Sequence, residues 1–414
     1  MDKADFFREA RHDVAGPLAG TRVLEATTTW AGPMCACLLA DFGADVIKIE
    51  LPEGEVSRTM PPFLPNTSPP LSTLHATVNR NKRSLSLDLR TREGRDIFLK
   101  LAAQSDVIVE NFRPGTMDKW GVGYEAARRV KPDIIYVSIS GFGQFGPDHD
   151  RAGYDTLAQA ASGFMSLNGE RNGNPVRAAT ALGDDLAGLH GALATLAAVC
   201  HHYRTGEGQH VDVSLLDSIL FQSNGMLTLG ALDIPLPRWG NESPYAMPAN
   251  VYTCRDGHIR LAIVLDSHWK ILARIIGRPA LAEDPEYALQ ANRFRHRDEV
   301  NALIASWCAD RSADDVVTLF VKEGLAIAPI RTYAQAAQDP HILARGMLQD
   351  TRQADGSSVP ITGPAAKFSR TPTRVRSGAS ALGAHDEEIF QDLGLSAADI
   401  EDLREKRVIA RAKR

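Results

Sequence analysis

The chain has 414 residues, 44% of them hydrophobic, enough for about two domains with sizeable cores. Its formal net charge is −5, from 46 basic and 51 acidic residues, so no overall basic field marks nucleic acid or a membrane surface as the main partner. The five cysteines are odd in number and scattered, which fits a reducing compartment better than a disulfide framework. The opening MDKADFFREARHD mixes acids with bases and lacks the apolar core of a signal peptide. The most apolar long run, Leu186–Cys200, contains His190 and is too short to span a bilayer. The expectation is a soluble cytoplasmic protein with no nucleic-acid or membrane partner.

In chain order, Thr21–Ala26 reads as a strand, Pro33–Phe42 as a helix ended by Gly43, and Asp45–Glu50 as the next strand. After a Pro/Ser-rich loop, Arg83–Leu89 is again β-like. Thr91-Arg92-Glu93-Gly94 leads a helix to Ala103, Asp106–Phe112 is a buried-type strand, and Tyr124–Val130 is helical before DIIYVSIS closes the series. Strand and helix alternating at this cadence predict a parallel, doubly wound sheet. Helices are then expected near Thr156–Gly163, Leu186–Tyr203 and Ser214–Leu232, with the strand QHVDVSL between the last two. The Pro/Gly-rich IPLPRWGNESPYAMP marks a boundary, and Tyr252 to about Ala334 reads as a smaller α+β unit. The Pro-spaced tail reads as an extended arm with little core of its own, ending in a helix near Ala397–Lys406 and packing on another domain or subunit.

IIYVSISGFGQFGPDHD contains a literal G-x-G-x-x-G at Gly141–Gly146, which signals a dinucleotide site only when the glycines open a helix. Here Pro147-Asp148-His149-Asp150-Arg151 offers no apolar face, so a plain glycine-rich loop is expected and no nicotinamide cofactor. The C-x-C at Cys35 and the run Cys200-His201-His202 have no second ligand cluster at useful spacing, so no metal is expected. No G-x-S-x-G, H-E-x-x-H or P-loop motif occurs. What remains is ALGDDLAGLHGALATLAAV, where Gly183-Asp184-Asp185 precede a helix of small residues. An aspartate so placed is ordinarily an N-cap. The same place also suits a carboxylate nucleophile: it favours negative charge, and glycines let a ligand approach.

Here the sequence resembles a family. LAGTRVLEATTTWAGPMCACLLADFGADVIKIE, NRNKRSLSLDLRTREGRD, DVIVENFRPGTMDKWG and LGDDLAGLHGALATLAAVCHHYRTGEGQHVDVSLLDS are similar, in the same order, to signature blocks of the class III CoA-transferases, the CaiB/BaiF or formyl-CoA transferase-like proteins. The tail GPAAKFSRTPTRVRSGASALGAHDEEIFQDLGL matches as well. The resemblance implies an α/β fold with a Rossmann-like, doubly wound large domain and a small α+β domain, in an interlocked homodimer. Its domains would be residues 1–228, the first part of the CoA-binding domain; 229–335, the small domain; and 336–414, a segment returning to the large domain. It implies transfer of CoA from an acyl-CoA thioester to a small carboxylic acid, with CoA as substrate and no tightly bound cofactor. Asp184 matches the family nucleophile, which forms a mixed anhydride and then an aspartyl-CoA thioester; Asp185 is read as the cap.

Matched block by block, Trp30 and Ala31 fall at the turn after the first strand, Leu87 to Arg90 at the adenine and phosphate segment, and Asn111, Phe112 and Arg113 at a further CoA loop. Lys119 falls at a second phosphate contact, and Arg151 to Tyr154 at the thioester end. Asn81-Lys82-Arg83 offers an alternative electropositive rim. Two departures point away from oxalate and formyl-CoA: Trp30 stands where formyl-CoA transferases carry a glutamine, and Ser243–Met247 replaces their glycine-run loop. A dicarboxylate or a larger apolar acid is expected instead. The alternative within the fold is an α-methylacyl-CoA racemase, similar around AGYD, but those enzymes use a histidine where Tyr154 stands. Tyrosine, with a reference pKa of about 10, is a poor base at neutral pH.

Overall fold

The computed structural model describes residues 1–411. Its largest element is a six-stranded sheet in the order β3-β2-β1-β4-β5-β6, with every neighbouring pair parallel. The parts are β1 (Arg22–Ala26), α1 (Ala31–Asp41), β2 (Asp45–Glu50), β3 (Lys82–Ser86), α2 (Arg92–Ala102), β4 (Val107–Glu110), α3 (Tyr124–Val130), β5 (Ile135–Ser140), α4 (Asp155–Ala161), α5 (Leu182–Thr205), β6 (His210–Ser214) and α6 (Leu215–Phe221). The central strands are apolar on both faces, as a sheet covered on both sides requires. Val23, Val46, Val107 and Ile135 join the layer that holds Cys35 and Leu39 of α1 and Ala187 and Ala192 of α5. Their chain neighbours Leu24, Ile47, Ile108 and Tyr136 point the other way, onto Phe98 and Leu101 of α2 and Ala127 of α3. The strand order reverses between β1 and β4, the topological switch point at whose carboxyl end open α/β sheets ordinarily bind their ligands.

The glycine-rich loop after β5 carries no helix. Gly141 instead lies against Gly153, where a Cβ on either would come within 2.5 Å of the other's Cα, so these glycines serve a crossing of two backbones.

Small residues do similar work where α5 crosses α1. α5 runs for 24 residues, about 36 Å, and begins before the predicted Leu186. A Cβ at Gly188 would meet Met34 Cγ at 2.7 Å and the Ala31 carbonyl at 3.0 Å. Gly188→Ala should therefore lower stability by about 1–2 kcal/mol, because overpacking against a backbone carbonyl outweighs the better helix propensity of alanine. Thermal melts of the two proteins check this, and an unchanged or raised Tm would contradict it. The stretch Ser214–Leu232, expected as one helix, is two: α6 and a short helix over Met226–Ala231, parted by Asn224 and Gly225 at φ of 50° and 84°.

The chain divides into two compact units, the sheet-bearing one comprising Met1–Phe164, Arg177–Thr228 and the chain from His341. The other holds Met165–Val176 and Leu229–Pro340. It contains the antiparallel strands β7 (Ala249–Cys254), β8 (Gly257–Ala262) and β9 (Ile327–Pro329) and the helices α7 (Asp266–Ile275), α8 (Arg297–Ala309) and α9 (Ala313–Lys322) around Trp269, Ile304 and Phe320.

The tail is less extended than expected. It forms a hairpin, β10 (Leu348–Arg352) with β11 (Ser358–Thr362), then α10 (Asp386–Asp392) and α11 (Ala397–Glu405). Ile389, Phe390, Leu403 and Ile409 complete the hydrophobic layer over β3. The Asp386 carboxylate accepts the Ser86 N–H at 2.8 Å, and Asp88 N–H donates to the Val408 carbonyl at 2.8 Å. The outer edge of β3 is thereby covered by the protein's own chain.

Candidate active site

α5 starts at Leu182, so Asp184 and Asp185 lie in its first turn and neither is the N-cap. The cap comes from elsewhere: the Asp155 carboxylate at the start of α4 accepts the Gly183 N–H at 2.7 Å and the Gln159 side-chain N–H at 2.7 Å. Asp184 is half-buried, and its carboxylate has no hydrogen-bond partner among the described residues. Burial, with the added repulsion of Asp155 and Asp185, pushes its carboxyl up to about 7. Asp185 is also raised by burial, against the pull of a hydrogen bond from the Trp30 indole N–H to its Oδ1 at 2.7 Å.

Trp30 sits at the end of the loop that leaves β1, beside the switch point between β1 and β4. Asn111, just after β4, grips this loop in both directions: its Oδ1 accepts the Thr28 N–H and its Nδ2 donates to the Thr28 carbonyl, each at 2.8 Å. Glu55 Oε2 accepts the Thr29 N–H at 2.9 Å and the Thr28 hydroxyl at 3.1 Å. These bonds hold Thr29 at φ 69°, a left-handed conformation that a β-branched residue takes only under constraint. On the β4 side, Glu110 accepts the Phe112 N–H at 2.8 Å; burial pushes Glu110 up to about 7, against bonds from Ser138 and Phe112.

Beneath the loop lies a charge network that was not foreseen. Glu25, fully buried on β1, lies 3.1 Å from Lys48 Nζ on β2 and 2.8 Å from Lys82 Nζ on β3. Lys48 is also 3.6 Å from Glu55, and Arg58 pairs with both Glu50 oxygens at 2.6 Å. Burial favours a neutral Glu55, but Lys48, His75 and Ser57 outweigh it and hold its carboxyl well below the usual range. Three carboxylates thus face three cations, with His75 depressed by burial. This overturns the rim reading of Asn81-Lys82-Arg83: Lys82 is 3% exposed and committed to Glu25, Asn81 binds Asp41, and Arg83 pairs with Asp45 and Glu388. The only sequence signal for the network was charge inside strands that otherwise read as core.

The other candidate residues divide by exposure. Ala31 and Leu87 are buried, and Leu87 spends its side chain in the core. Asn111 is committed to the loop clamp, while Phe112 packs edge-on to Trp120 at 5.0 Å. Arg90 is exposed and forked onto its neighbour Asp88 at 2.7 Å; Arg151 bonds Asp148 at 2.8 Å and lies over the Phe142 ring. Arg113 and Lys119 are exposed with no ion-pair partner among the described residues, and Tyr154 is also exposed, at the N-terminus of α4. Among the described residues no three of His, Cys, Asp and Glu converge as metal ligands, and no helix is long and apolar enough to cross a membrane.

Residues 18–386 match the sequence model of CoA-transferase family III. The chain is 37% identical over 384 residues to the succinate–glutarate CoA-transferase of Agrobacterium fabrum, covering 91% of this chain and 96% of that protein. It is 37% identical over 388 residues to the succinyl-CoA:mesaconate CoA-transferase of Haloarcula hispanica, covering 92% and 97%. The crystal structure of a CaiB/BaiF family protein from Brucella suis superposes with a TM-score of 0.83 at 34% identity, over 92% of this chain and all of that one. The chain belongs to CoA-transferase family III and is a transferase acting on CoA thioesters.

Proposed function

We propose that this family III CoA-transferase works through Asp184 as nucleophile, moving CoA between succinyl-CoA and a second dicarboxylic acid of similar size. The observation that carries the nucleophile is a half-buried carboxylate with no hydrogen-bond partner among the described residues, in the first turn of a long helix, with two other carboxylates beside it. Its raised pKa makes the ionised form a stronger nucleophile than an ordinary aspartate. The choice of acid follows the names of relatives at 37% identity, and a bulky Trp30 in place of the oxalate enzymes' glutamine agrees with it.

The Asp184 carboxylate attacks the thioester carbonyl; a C–O bond forms, the C–S bond breaks, and CoA leaves as thiolate. The thiolate then attacks the Asp184 carbonyl of the mixed anhydride, freeing the donor acid as carboxylate and leaving an Asp184-CoA thioester. The acceptor carboxylate repeats these two steps in reverse. No proton is transferred at any stage, so the site needs no general acid, only anion stabilisation and exclusion of water. Arg113 and Lys119, exposed and without an ion-pair partner among the described residues, suit CoA phosphates, with Arg90 and Arg151 able to exchange their aspartates for phosphate. Trp30, Ala31, Leu87, Asn111 and Phe112 would shape the CoA crevice, and Tyr154 its thioester end. Exposed Leu193 and Phe221, on α5 and α6, are surfaces that an interlocked homodimer would cover.

Incubation with a panel of acyl-CoAs, quenching with hydroxylamine and mass mapping of Gly183–Leu189 tests the reading. A hydroxamate or CoA adduct on Asp184 is expected with succinyl-CoA, and none with oxalyl-CoA. No adduct with any donor, alongside intact CoA binding, would move the reading toward α-proton chemistry. Because only ionised Asp184 attacks, kcat/KM should fall below about pH 7 and level off above it.

A further inference from the structure

Asp185 has a task that the cap reading hides. The one hydrogen bond its carboxylate accepts among the described residues comes from the Trp30 indole N–H at 2.7 Å. An indole can only donate, so this bond is best with an ionised carboxylate. Trp30 in turn is delivered by a loop pinned from two sides, by Glu55 and by Asn111. The charged groups acting on Asp184 are Asp155 from α4 and Asp185 from α5, while α6 presents Ile219 to this turn.

We propose that Trp30 and Asp185 are a positioning pair that fixes a negative charge beside Asp184 and so favours its acylated forms. This rests on Asp184 being the nucleophile. Acylation converts the Asp184 carboxylate into a neutral anhydride or thioester, and its charge departs on the CoA thiolate or the freed acid. Repulsion from Asp185 is present before each acylation and absent after it, so the pair raises the free carboxylate relative to the covalent intermediates. The indole N–H keeps Asp185 charged and turned to one place, where a free carboxylate would take up a proton or rotate away.

Asp185→Asn tests this, because its amide oxygen still accepts the indole N–H while the charge is gone. The acid limb of kcat/KM should move down by about one pH unit. The fraction of Asp184 trapped as CoA adduct at a fixed succinyl-CoA concentration should fall about tenfold, the equivalent of one pKa unit. Trp30→Phe should shift both readouts the same way, and Trp30→Phe with Asp185→Asn should be no worse than Asp185→Asn alone, as expected for a coupled pair. A wild-type adduct on Asp184 with limb and trapped fraction unmoved in Asp185→Asn would overturn the pair and leave the nucleophile standing. No adduct on Asp184 in the wild type would overturn both.

Discussion

Asp184→Ala is expected to lower CoA transfer by about 10⁴-fold or more while leaving the fold and CoA binding intact. Both anhydrides and the aspartyl thioester form on this one side chain, so its loss leaves only direct attack of one carboxylate on another acid's thioester, without covalent relay. The variant should also be more stable than the wild type. Asp184 has no hydrogen-bond partner to lose among the described residues, and burial together with Asp155 and Asp185 makes its ionised form costly. A folded pKa of about 7 against an unfolded value of 3.8 means that ionisation weakens the wild type progressively as pH rises between these two values. The advantage of Asp184→Ala should therefore be small near pH 4, grow to about pH 7 and remain flat above it, on the order of 3–4 kcal/mol. Steady-state transfer assays and urea titrations at several pH values check both halves. Wild-type-like transfer would contradict the mechanism; a variant less stable at pH 8 than the wild type would show that Asp184 is held by favourable contacts.

The doubly wound sheet was legible because its signals are local. DVIKIE and DIIYVSIS are short β-branched runs, and Thr91, which the sequence places at the head of a helix, caps α2 by accepting the Gly94 N–H at 3.0 Å. What the sequence concealed depends on partners far along the chain. The start of α5 was placed too late because its cap is Asp155, supplied by another helix, so that Asp184 and Asp185 read as caps themselves. Asn81-Lys82-Arg83 read as a surface because nothing nearby in the chain announces Glu25 as the partner of Lys82. The Trp30–Asp185 bond was hidden for the same reason: each residue drew notice alone, and only the packing of α5 on α1 brings the indole to the carboxylate.

Glu25→Leu should be the most destabilising of the substitutions considered, by about 3–5 kcal/mol. Glu25 lies between two buried ammonium groups, and its loss leaves them in the interior with less than their charge balanced. Lys48 would retain Glu55 at 3.6 Å, but among the described residues Lys82 would keep only the Pro33 carbonyl at 2.9 Å and the Asn79 amide oxygen at 3.1 Å. Burial already lowers the Lys82 pKa with Glu25 present, so the variant's most economical response is to release that proton. The double variant Glu25→Leu with Lys82→Met should then recover a good part of the loss, since removing both members of a buried pair costs less than removing one. Urea unfolding of the single and double variants measures this; a single variant within about 1 kcal/mol of wild type would contradict the network's role. Activity should follow stability only in part. The Thr27 hydroxyl donates to Glu25, and Lys48 Nζ donates to the Thr27 carbonyl at 3.3 Å, so the network also fixes the first residue of the loop that ends in Trp30. Buried charge is a poor way to stabilise a sheet, but it is an effective way to hold one loop in one conformation, and here that loop carries the indole to the carboxylate beside Asp184.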